Sequence, residues 1–241
     1  MQKGKIRINT ENIFPIIKKA VYSDHEIFLR ELVSNSVDAI SKRRMASFAG
    51  DCENCELPQV KITLDREKNT LTISDNGIGM NDEEIKKYIN QVAFSSAEEF
   101  LEKYKKNDDE FIGHFGLGFY SSFMVSEKVE IITKSAIGDC KAFKWSCDGS
   151  PSFTLEDSER DEIGTDVILY LLEEEKEFIE PARIKTLIKK YCDFMPIDVL
   201  LEGECINKKN PPWRKNPSEL NDEDYIELYK YLYPYQGEPL L

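Results

Sequence analysis

Apolar and polar positions follow a helical pattern most clearly between residues 26 and 45, where Phe28, Leu32 and Ala39 fall on one arc. No proline or glycine interrupts this stretch. It therefore predicts the longest helix of the chain. Residues 60–64 and 71–73 alternate instead with a period of two around a turn at 66–69, and they predict a strand hairpin.

The rest of the chain adds short elements of both kinds. Period-two alternation predicts strands at 5–8, 129–133, 142–146 and 165–172, and a last hairpin around Gly203 that begins at residues 197–202. Helices are predicted up to Tyr22, after Asn81, across 119–125 and from Pro181 to a point before Pro196. Residues 95–110 are charged and poor in large apolar residues, so this segment is expected to move.

These elements predict an α+β fold. The alternating β-α order of a Rossmann fold is missing, so we expect a two-layer sandwich in which helices pack on one face of a mostly antiparallel sheet. Residues 1–206 are predicted to form one domain. Residues 207–241 are predicted to hold a connector rich in proline and asparagine, an amphipathic helix at 221–232 and the start of a further domain.

The composition restricts the possible partners. The 241 residues are 41% hydrophobic, enough for a substantial core, and the formal net charge is -13. This charge repels phosphates and anionic lipids, so neither nucleic acid nor a membrane is expected as a partner. No apolar run approaches the roughly 20 residues that cross a bilayer, and we expect a soluble, cytoplasmic protein.

The six cysteines are too sparse for a disulfide framework, and reduced thiols are expected. Cys52 and Cys55 do form a C-x-x-C pair. A closed zinc site needs two more ligands, and the sequence offers no second pair at suitable spacing. Free thiols without a metal are therefore predicted at both positions.

One candidate site lies on the predicted long helix. Glu31, Asn35, Asp38 and Lys42 fall within roughly 60° of one another at about 100° per residue, so one stripe presents four polar side chains. The alternative is an ordinary solvated face with an ion pair between Asp38 and Lys42. Asparagine is a mediocre helix former, and its presence at position 35 favours a functional stripe slightly.

The second candidate is the segment 75–80, which directly follows an apolar strand. Its Asn-Gly step alone fits a hairpin turn. A second glycine at position 79, followed at once by a capped helix, indicates instead that the backbone passes close to a flat ligand, with Asp75 held at the end of the strand.

The third candidate is the glycine-rich segment that opens a helix at residues 113–119. It matches neither a Walker A motif nor a dinucleotide fingerprint. Closely spaced glycines nevertheless let backbone N–H groups converge beside a helix N-terminus, which is an arrangement that binds phosphates without lysines. A flexible hinge is the alternative, and both descriptions can hold at once.

Three segments of the sequence resemble the three nucleotide-binding motifs of the 90-kDa heat-shock chaperones of the bacterial type: residues 28–39, 75–80 and 112–121. Gly164-Thr165 resembles the fourth motif. The likeness extends over the whole chain. It implies the Bergerat ATP-binding fold, which type II topoisomerases, mismatch-repair ATPases and sensor histidine kinases share. It also implies an ATPase module of a chaperone that acts on client proteins and is a homodimer at full length, while the fragment is expected to be a monomer.

The resemblance assigns roles to single residues. Asp75 accepts the adenine amino group, with Gly79, Met80 and Thr165 around the base. Asn35 binds Mg²⁺, Glu31 activates the attacking water, and Asp38 and Lys42 shape the floor and rim of the pocket. The phosphates of ATP or ADP are held by the backbone of seven residues: Gly113, His114, Phe115, Gly116, Leu117, Gly118 and Phe119. Residues 94–118 form a lid.

Two positions depart from the commoner family pattern. Tyr88 stands where many relatives have a polar residue, and Phe94 where many have a lysine that reaches the phosphates. A binding module without useful catalysis is the main rival function. A DNA-acting or kinase relative is disfavoured, because the chain is acidic and its two histidines lie outside any phospho-acceptor context.

Overall fold

The computed structural model describes residues 24–91, 96–104, 111–113, 116–138, 141–209, 211–237 and 239. Within these residues the helices are α1 Ile27–Phe48, α2 Asp82–Tyr88, α3 Ser96–Tyr104, α4 Ser122–Val125, α5 Pro181–Tyr191 and α6 Asp222–Leu232. The strands are β1 Gln59–Asp65, β2 Thr70–Asp75, β3 Ser126–Lys134, β4 Ala142–Cys147, β5 Thr154–Ser158, β6 Gly164–Leu171, β7 Asp198–Leu201 and β8 Glu204–Cys205. Short 3₁₀ turns include Gly118–Ser121 and Glu173–Ile179.

The eight strands of the described residues form one sheet in the order β5-β4-β3-β6-β2-β1-β7-β8. Neighbouring strands are antiparallel except for β1 and β7, which run parallel with Val60 opposite Val199. The predicted α+β fold with a mostly antiparallel sheet is therefore confirmed. The parallel pair was not predicted from the sequence.

One face of the sheet carries the hydrophobic core. Alternate strand residues are buried there: Val60, Ile62, Leu71, Ile73, Val129, Ile131, Trp145, Leu169, Leu171, Val199 and Leu201. Their neighbours on the opposite face include Lys61, Thr72 and Lys144, which are more exposed. Since α1, α4 and α5 contribute Leu29, Phe123 and Leu187 to the same core, the helices lie on one face of the sheet, as the two-layer prediction requires.

The helix α1 spans the region that the sequence predicted and extends it to Phe48. It ends where Gly50 adopts a φ of +84°, a left-handed conformation that glycine accepts without strain. The helix buries apolar residues such as Leu29 and Val33, and it also buries Ser34, Ser36 and Asp38. Buried polar groups require partners, so this face of α1 does more than pack against the core.

Several local predictions are refined by the structure. The helix expected across 119–125 begins as the 3₁₀ turn Gly118–Ser121 and continues as α4. Within 95–110 the described helix α3 spans Ser96–Tyr104. The edge strand β5 was not predicted. The strand predicted at 5–8 and the helix predicted up to Tyr22 lie outside the described residues.

The predicted N-terminal cap of α2 is confirmed by the structure. Asn81 caps α2 by accepting the N–H of Glu84, and the Glu84 carboxylate accepts the N–H of Asn81 in return.

Among the helices of the described residues, none combines the length and the apolar character that crossing a bilayer demands.

Candidate functional site

A cavity of about 710 Å³ lies between α1, the segment after β2 and the segment before α4. Its lining includes every predicted site residue that the structure describes: Glu31, Asn35, Asp38, Lys42, Asp75, Gly79, Met80, Gly113, Gly116, Leu117, Gly118, Phe119 and Thr165. His114 and Phe115 lie outside the described residues. Three segments that are far apart in the sequence therefore meet around one space.

Asp75 ends β2 with its side chain buried beside the cavity, directly opposite Thr165 of β6. Burial raises the pKa of this carboxyl to about 7, although the Gly77 N–H, the charge of Arg160 and the Ser36 hydroxyl act in the opposite direction. The N–H of Gly77 donates to Oδ1 at 2.8 Å. A buried carboxylate held in this way can accept a hydrogen bond from a donor on a ligand.

Two threonine hydroxyls extend the polar surface beside Asp75. Thr133 Oγ1 lies 2.9 Å from Thr165 Oγ1, and it accepts the N–H of Met80 at 2.9 Å. Sequence reasoning singled out Thr165 but missed Thr133, which lies opposite Thr165 in the pairing of β3 with β6. Thr133 was hard to find because a threonine near the end of a strand matches ordinary alternation.

The segment 75–80 is threaded between α1 and β3. Ile78 donates its N–H to the Ala39 carbonyl at 3.0 Å, and its own carbonyl accepts the N–H of Ala136 at 2.7 Å. Gly79 has a φ of +65°, and a Cβ placed there would lie 2.0 Å from the carbonyl oxygen of Lys134. The sequence predicted that this backbone passes close to a flat ligand, and that stays a prediction; the close approach that the structure shows at Gly79 is to the backbone of β3.

Asp38 connects α1 to the glycine-rich segment. Its Oδ1 accepts the N–H of Ile112 at 2.9 Å and its Oδ2 accepts the N–H of Gly113 at 2.8 Å. The residue is 6% exposed. The alternative of a solvated helix face is therefore wrong for Asp38, whose carboxylate fixes the start of the glycine-rich segment.

Lys42 occupies the rim of the cavity one turn beyond Asp38. Its ammonium contacts Ser96 of α3 and lies 5.4 Å from the ring centroid of Phe111. Desolvation lowers the pKa of Lys42 to about 8, although the carboxylates of Asp38 and Glu84 act in the opposite direction. A cation with this environment favours an anionic neighbour.

Glu31 and Asn35 face the two ends of the glycine-rich segment. A Cβ placed on Gly118 would lie 2.5 Å from Glu31 Oε2, and a Cβ placed on Gly113 would lie 3.5 Å from Asn35 Oδ1. Glu31 also accepts the Nε–H of Arg30 at 3.1 Å. The amide of Asn35 is exposed, so its oxygen is accessible to a ligand from the cavity.

The donor set at Asn35 fits a cation that brings most of its own ligands. Among the described residues, no cluster of three or more histidine, cysteine, aspartate or glutamate side chains could hold a metal ion. Mg²⁺ prefers oxygen ligands, keeps several waters and takes further oxygens from phosphates, so one amide oxygen from the protein suffices.

The helix α3 lies over the side of the cavity that holds Lys42. Ala97 and Leu101 of α3 form a small apolar cluster with Met45 and Phe111. On the exposed side, Glu99 binds Lys87 at 2.6 Å and accepts the hydroxyl of Tyr88 at 3.1 Å. Tyr88, which departs from the commoner family pattern, thus contacts α3; Phe94 lies outside the described residues.

Comparison with known proteins agrees with this geometry. Residues 22–157 match the family described as histidine kinase-, DNA gyrase B-, and HSP90-like ATPase. The chaperone protein HtpG of Bacteroides thetaiotaomicron is 52% identical to the chain over 255 residues, which cover 100% of this chain and 37% of that protein. HtpG of Porphyromonas gingivalis is 48% identical to the chain over 256 residues, which cover 99% of this chain and 37% of that protein.

A less similar relative also matches nearly the whole of this chain. HtpG of Clostridium perfringens is 37% identical over 257 residues, which cover 95% of this chain and 41% of that protein. The chain therefore spans about two fifths of the length of these relatives or slightly less. It belongs to the histidine kinase-, DNA gyrase B- and HSP90-like ATPase family, and within that family it is of the bacterial HtpG-like type.

Proposed function

We propose that the chain is the module that binds and hydrolyses ATP in a cytoplasmic chaperone of the bacterial 90-kDa type. One observation carries the proposal. A single cavity brings the buried Asp75 carboxylate together with Glu31, Asn35 and the glycine-rich segment. The family match and the likeness to HtpG chaperones over the whole chain support the same function.

Asp75 selects the base in this proposal. Its carboxylate accepts a hydrogen bond from the exocyclic amine of adenine, whereas guanine presents an oxygen at the corresponding position and would leave two acceptors facing each other. Thr165, Gly79 and Met80 line the cavity around it. Because Gly77 fixes Oδ1, the orientation of the carboxylate is set before the base arrives.

The phosphates lie against the glycine-rich segment. Asp38 accepts the N–H groups of Ile112 and Gly113 and so anchors the start of this segment to α1. Asn35 contributes its amide oxygen to Mg²⁺, which neutralises charge on the phosphates when it is bound. Lys42 adds a positive charge at the rim.

Glu31 acts on the attacking water. Its carboxylate orients the water and accepts its proton, the task of a general base. The Arg30 guanidinium donates to the same carboxylate. The resemblance to the chaperone family implies that groups from a following domain, including a catalytic arginine, complete the site, so this chain alone is expected to bind nucleotide and hydrolyse it slowly.

The remaining parts of the proposal concern the whole protein. Closure of the segment 94–118 over bound ATP, dimerisation and the remodelling of client proteins follow from the resemblance to the chaperone family. The helix of this segment, α3, contacts the rest of the domain through the small apolar cluster and through exposed ion pairs such as Lys103 with Asp51. Exposed ion pairs contribute little stability, which suits an element that must be released.

Calorimetric titration of the chain with ATP, ADP and GTP, with and without Mg²⁺, tests the proposal. Adenine nucleotides are expected to bind and GTP is not. Asp75→Asn should weaken ADP binding by about tenfold or more, because a charge-assisted hydrogen bond contributes roughly 1.5 to 3 kcal/mol. Asp148→Asn, an exposed aspartate outside the cavity lining, is the matched control. Equal ADP affinity in wild type and Asp75→Asn would refute the assignment of Asp75.

A further inference from the structure

The hydroxyl of Thr133 lies behind the wall of the cavity. Thr133 of β3 pairs with Thr165 of β6, and Ile131, two residues earlier on β3, lines the cavity. Residues two apart on a strand point to the same face, so Thr133 is directed to the side of the sheet that holds the cavity. Thr133 itself is fully buried and lies outside the lining. Any action of this hydroxyl on a ligand therefore passes through the residues that it contacts.

Three polar atoms surround the Thr133 hydroxyl. Its Oγ1 lies 2.9 Å from the Met80 nitrogen, 3.2 Å from the Gly164 carbonyl oxygen and 2.9 Å from Thr165 Oγ1. Met80 and Thr165 both line the cavity. A threonine hydroxyl donates one proton and has two lone pairs. The Met80 N–H can only donate, so it takes one lone pair, and the direction of the Thr133 proton decides the remaining bonds.

The distances favour donation of the Thr133 proton to Thr165. Hydrogen bonds from a hydroxyl to an oxygen usually span about 2.5 to 3.0 Å. The contact with Thr165 Oγ1 at 2.9 Å falls within this range, whereas the contact with the Gly164 carbonyl at 3.2 Å is longer. When Thr165 accepts the bond from Thr133, its own proton is left for the cavity. In the reverse arrangement Thr165 would present only lone pairs there.

We propose that Thr133 is a positioning residue that fixes the Thr165 hydroxyl as a hydrogen-bond donor to a ring nitrogen of the bound base. The inference rests on the proposed function, because it takes adenine as the base beside Asp75. Asp75 pairs with Thr165 across β2 and β6, so an accepting carboxylate and a donating hydroxyl stand side by side. Adenine presents the complementary pair, an amine that donates next to a ring nitrogen that accepts. The base is thus recognised at two points.

The test compares nucleotides that differ by one ring atom. ADP, 1-deaza-ADP and 7-deaza-ADP are titrated by calorimetry into the complete protein; in each analogue a C–H group replaces one of the two ring nitrogens that flank the amine. Wild type should bind at least one analogue roughly 3- to 10-fold more weakly than ADP, which corresponds to the loss of one neutral hydrogen bond. The readout is this ratio of affinities, because a general disturbance of the cavity weakens all three nucleotides alike.

Thr133→Val keeps the shape of the side chain and removes the hydroxyl. The Thr165 hydroxyl is then free to rotate towards other acceptors, so the ratio should fall to about twofold or less. Thr133→Ser restores the hydroxyl and should keep the wild-type ratio. Should Thr133→Val fail to fold because the Met80 N–H has lost its acceptor, Thr133→Cys carries the test, since its thiol is a weak donor and should give an intermediate ratio.

Two further variants show whether Thr133 acts through Thr165. Thr165→Val should abolish the ratio, and the double variant with Thr133→Val should have the same ratio as Thr165→Val alone. Thr72→Val is the matched control, because Thr72 is a strand threonine of β2 outside the lining of the cavity. It should leave the ratio unchanged.

The outcomes separate this inference from the proposed function. If Thr133→Val weakens the binding of ADP and of both analogues by the same factor, Thr133 only supports the wall of the cavity and the inference is overturned. Wild type that binds both analogues as tightly as ADP also overturns it, since Thr165 then donates to neither ring nitrogen. Failure of wild type to bind ADP at all contradicts the proposed function instead.

Discussion

Gly118 offers a way to displace the Glu31 carboxylate without removing it. A Cβ placed on Gly118 would lie 2.5 Å from Glu31 Oε2 and 3.3 Å from Glu31 Cβ. The φ of Gly118 lies outside the left-handed region, so alanine fits the backbone there. Gly118→Ala therefore acts mainly on the position of a flexible carboxylate.

The size of the effect follows from the distances. Contacts of a Cβ atom below 3.0 Å are essentially absent from real structures, so the carboxylate must move by at least about 0.5 Å. A general base contributes roughly 10²- to 10⁴-fold, and a misplacement of about 1 Å costs up to roughly 10²-fold. We expect Gly118→Ala to slow hydrolysis by about 10- to 100-fold and Glu31→Ala by about 10²- to 10⁴-fold. The free energy of unfolding should change by about 1 kcal/mol or less, because the closest atom, Oε2, ends a flexible, partly exposed side chain and the contact with Glu31 Cβ at 3.3 Å needs a shift of only a few tenths of an ångström.

The assay combines single-turnover ATP hydrolysis with ATP affinity in the complete protein. It compares wild type, Gly118→Ala, Glu31→Ala and the double variant, with Gly237→Ala as a control at a glycine that has open space around it. If Gly118→Ala acts through the carboxylate, the double variant is no slower than Glu31→Ala alone. Wild-type hydrolysis by Gly118→Ala, or multiplication of the two effects in the double variant, would refute the reasoning.

Three further predictions concern other parts of the structure. Gly79→Ala should lower the free energy of unfolding by more than about 2 kcal/mol in chemical denaturation, because its Cβ would lie 2.0 Å from a carbonyl oxygen of β3 at a φ of +65°. Glu26 binds Lys190 and Arg183, which lower its pKa to about 2, so its stabilisation is present above the ordinary pKa near 4.5 and lost as the pH falls towards 2. Glu26→Gln should accordingly lower the melting temperature at pH 7 and lower it much less near pH 2, where the carboxyl of the folded state is about half protonated. Glu99→Gln weakens the contacts of α3 with Lys87 and Tyr88 and should speed hydrogen exchange in residues 96–104; unchanged exchange would show that the apolar cluster and the Lys103–Asp51 ion pair hold α3 without it.

Local sequence signals were sufficient for much of the fold. The long helix α1 could be predicted because no glycine or proline interrupts it, and α2 because Asn81 and Glu84 have capping spacing. The parallel pairing of β1 with β7 could not, since it joins Val60 to Val199 across most of the chain. The strand β5 was missed because its residues are largely polar and exposed, as edge strands often are.

The residues of the candidate site also differ in whether local sequence could predict them. Glu31, Asn35 and Asp75 stand in segments whose wording resembles a known family, and the structure brings them to one cavity. Thr133 stands in no such segment. Its relation to Thr165 depends on how β3 and β6 are registered, which is a property of tertiary pairing rather than of local sequence.

The acidic composition is compatible with an anionic ligand because the charges around the cavity are already engaged. Asp38 is bound by the N–H groups of two residues of the glycine-rich segment, Asp75 by the N–H of Gly77, and Glu31 by Arg30. Because the Asp38 and Asp75 carboxylates bind backbone N–H groups, they also fix the direction of the N–H groups next to them. The net charge of -13 acts over long range and is screened within about 10 Å at moderate salt, whereas bound phosphates interact with donors at hydrogen-bond distance. Net charge therefore opposes nucleic acid and membranes as partners, while the binding of a single nucleotide depends on the local arrangement of N–H groups and, in the function proposed above, on Mg²⁺.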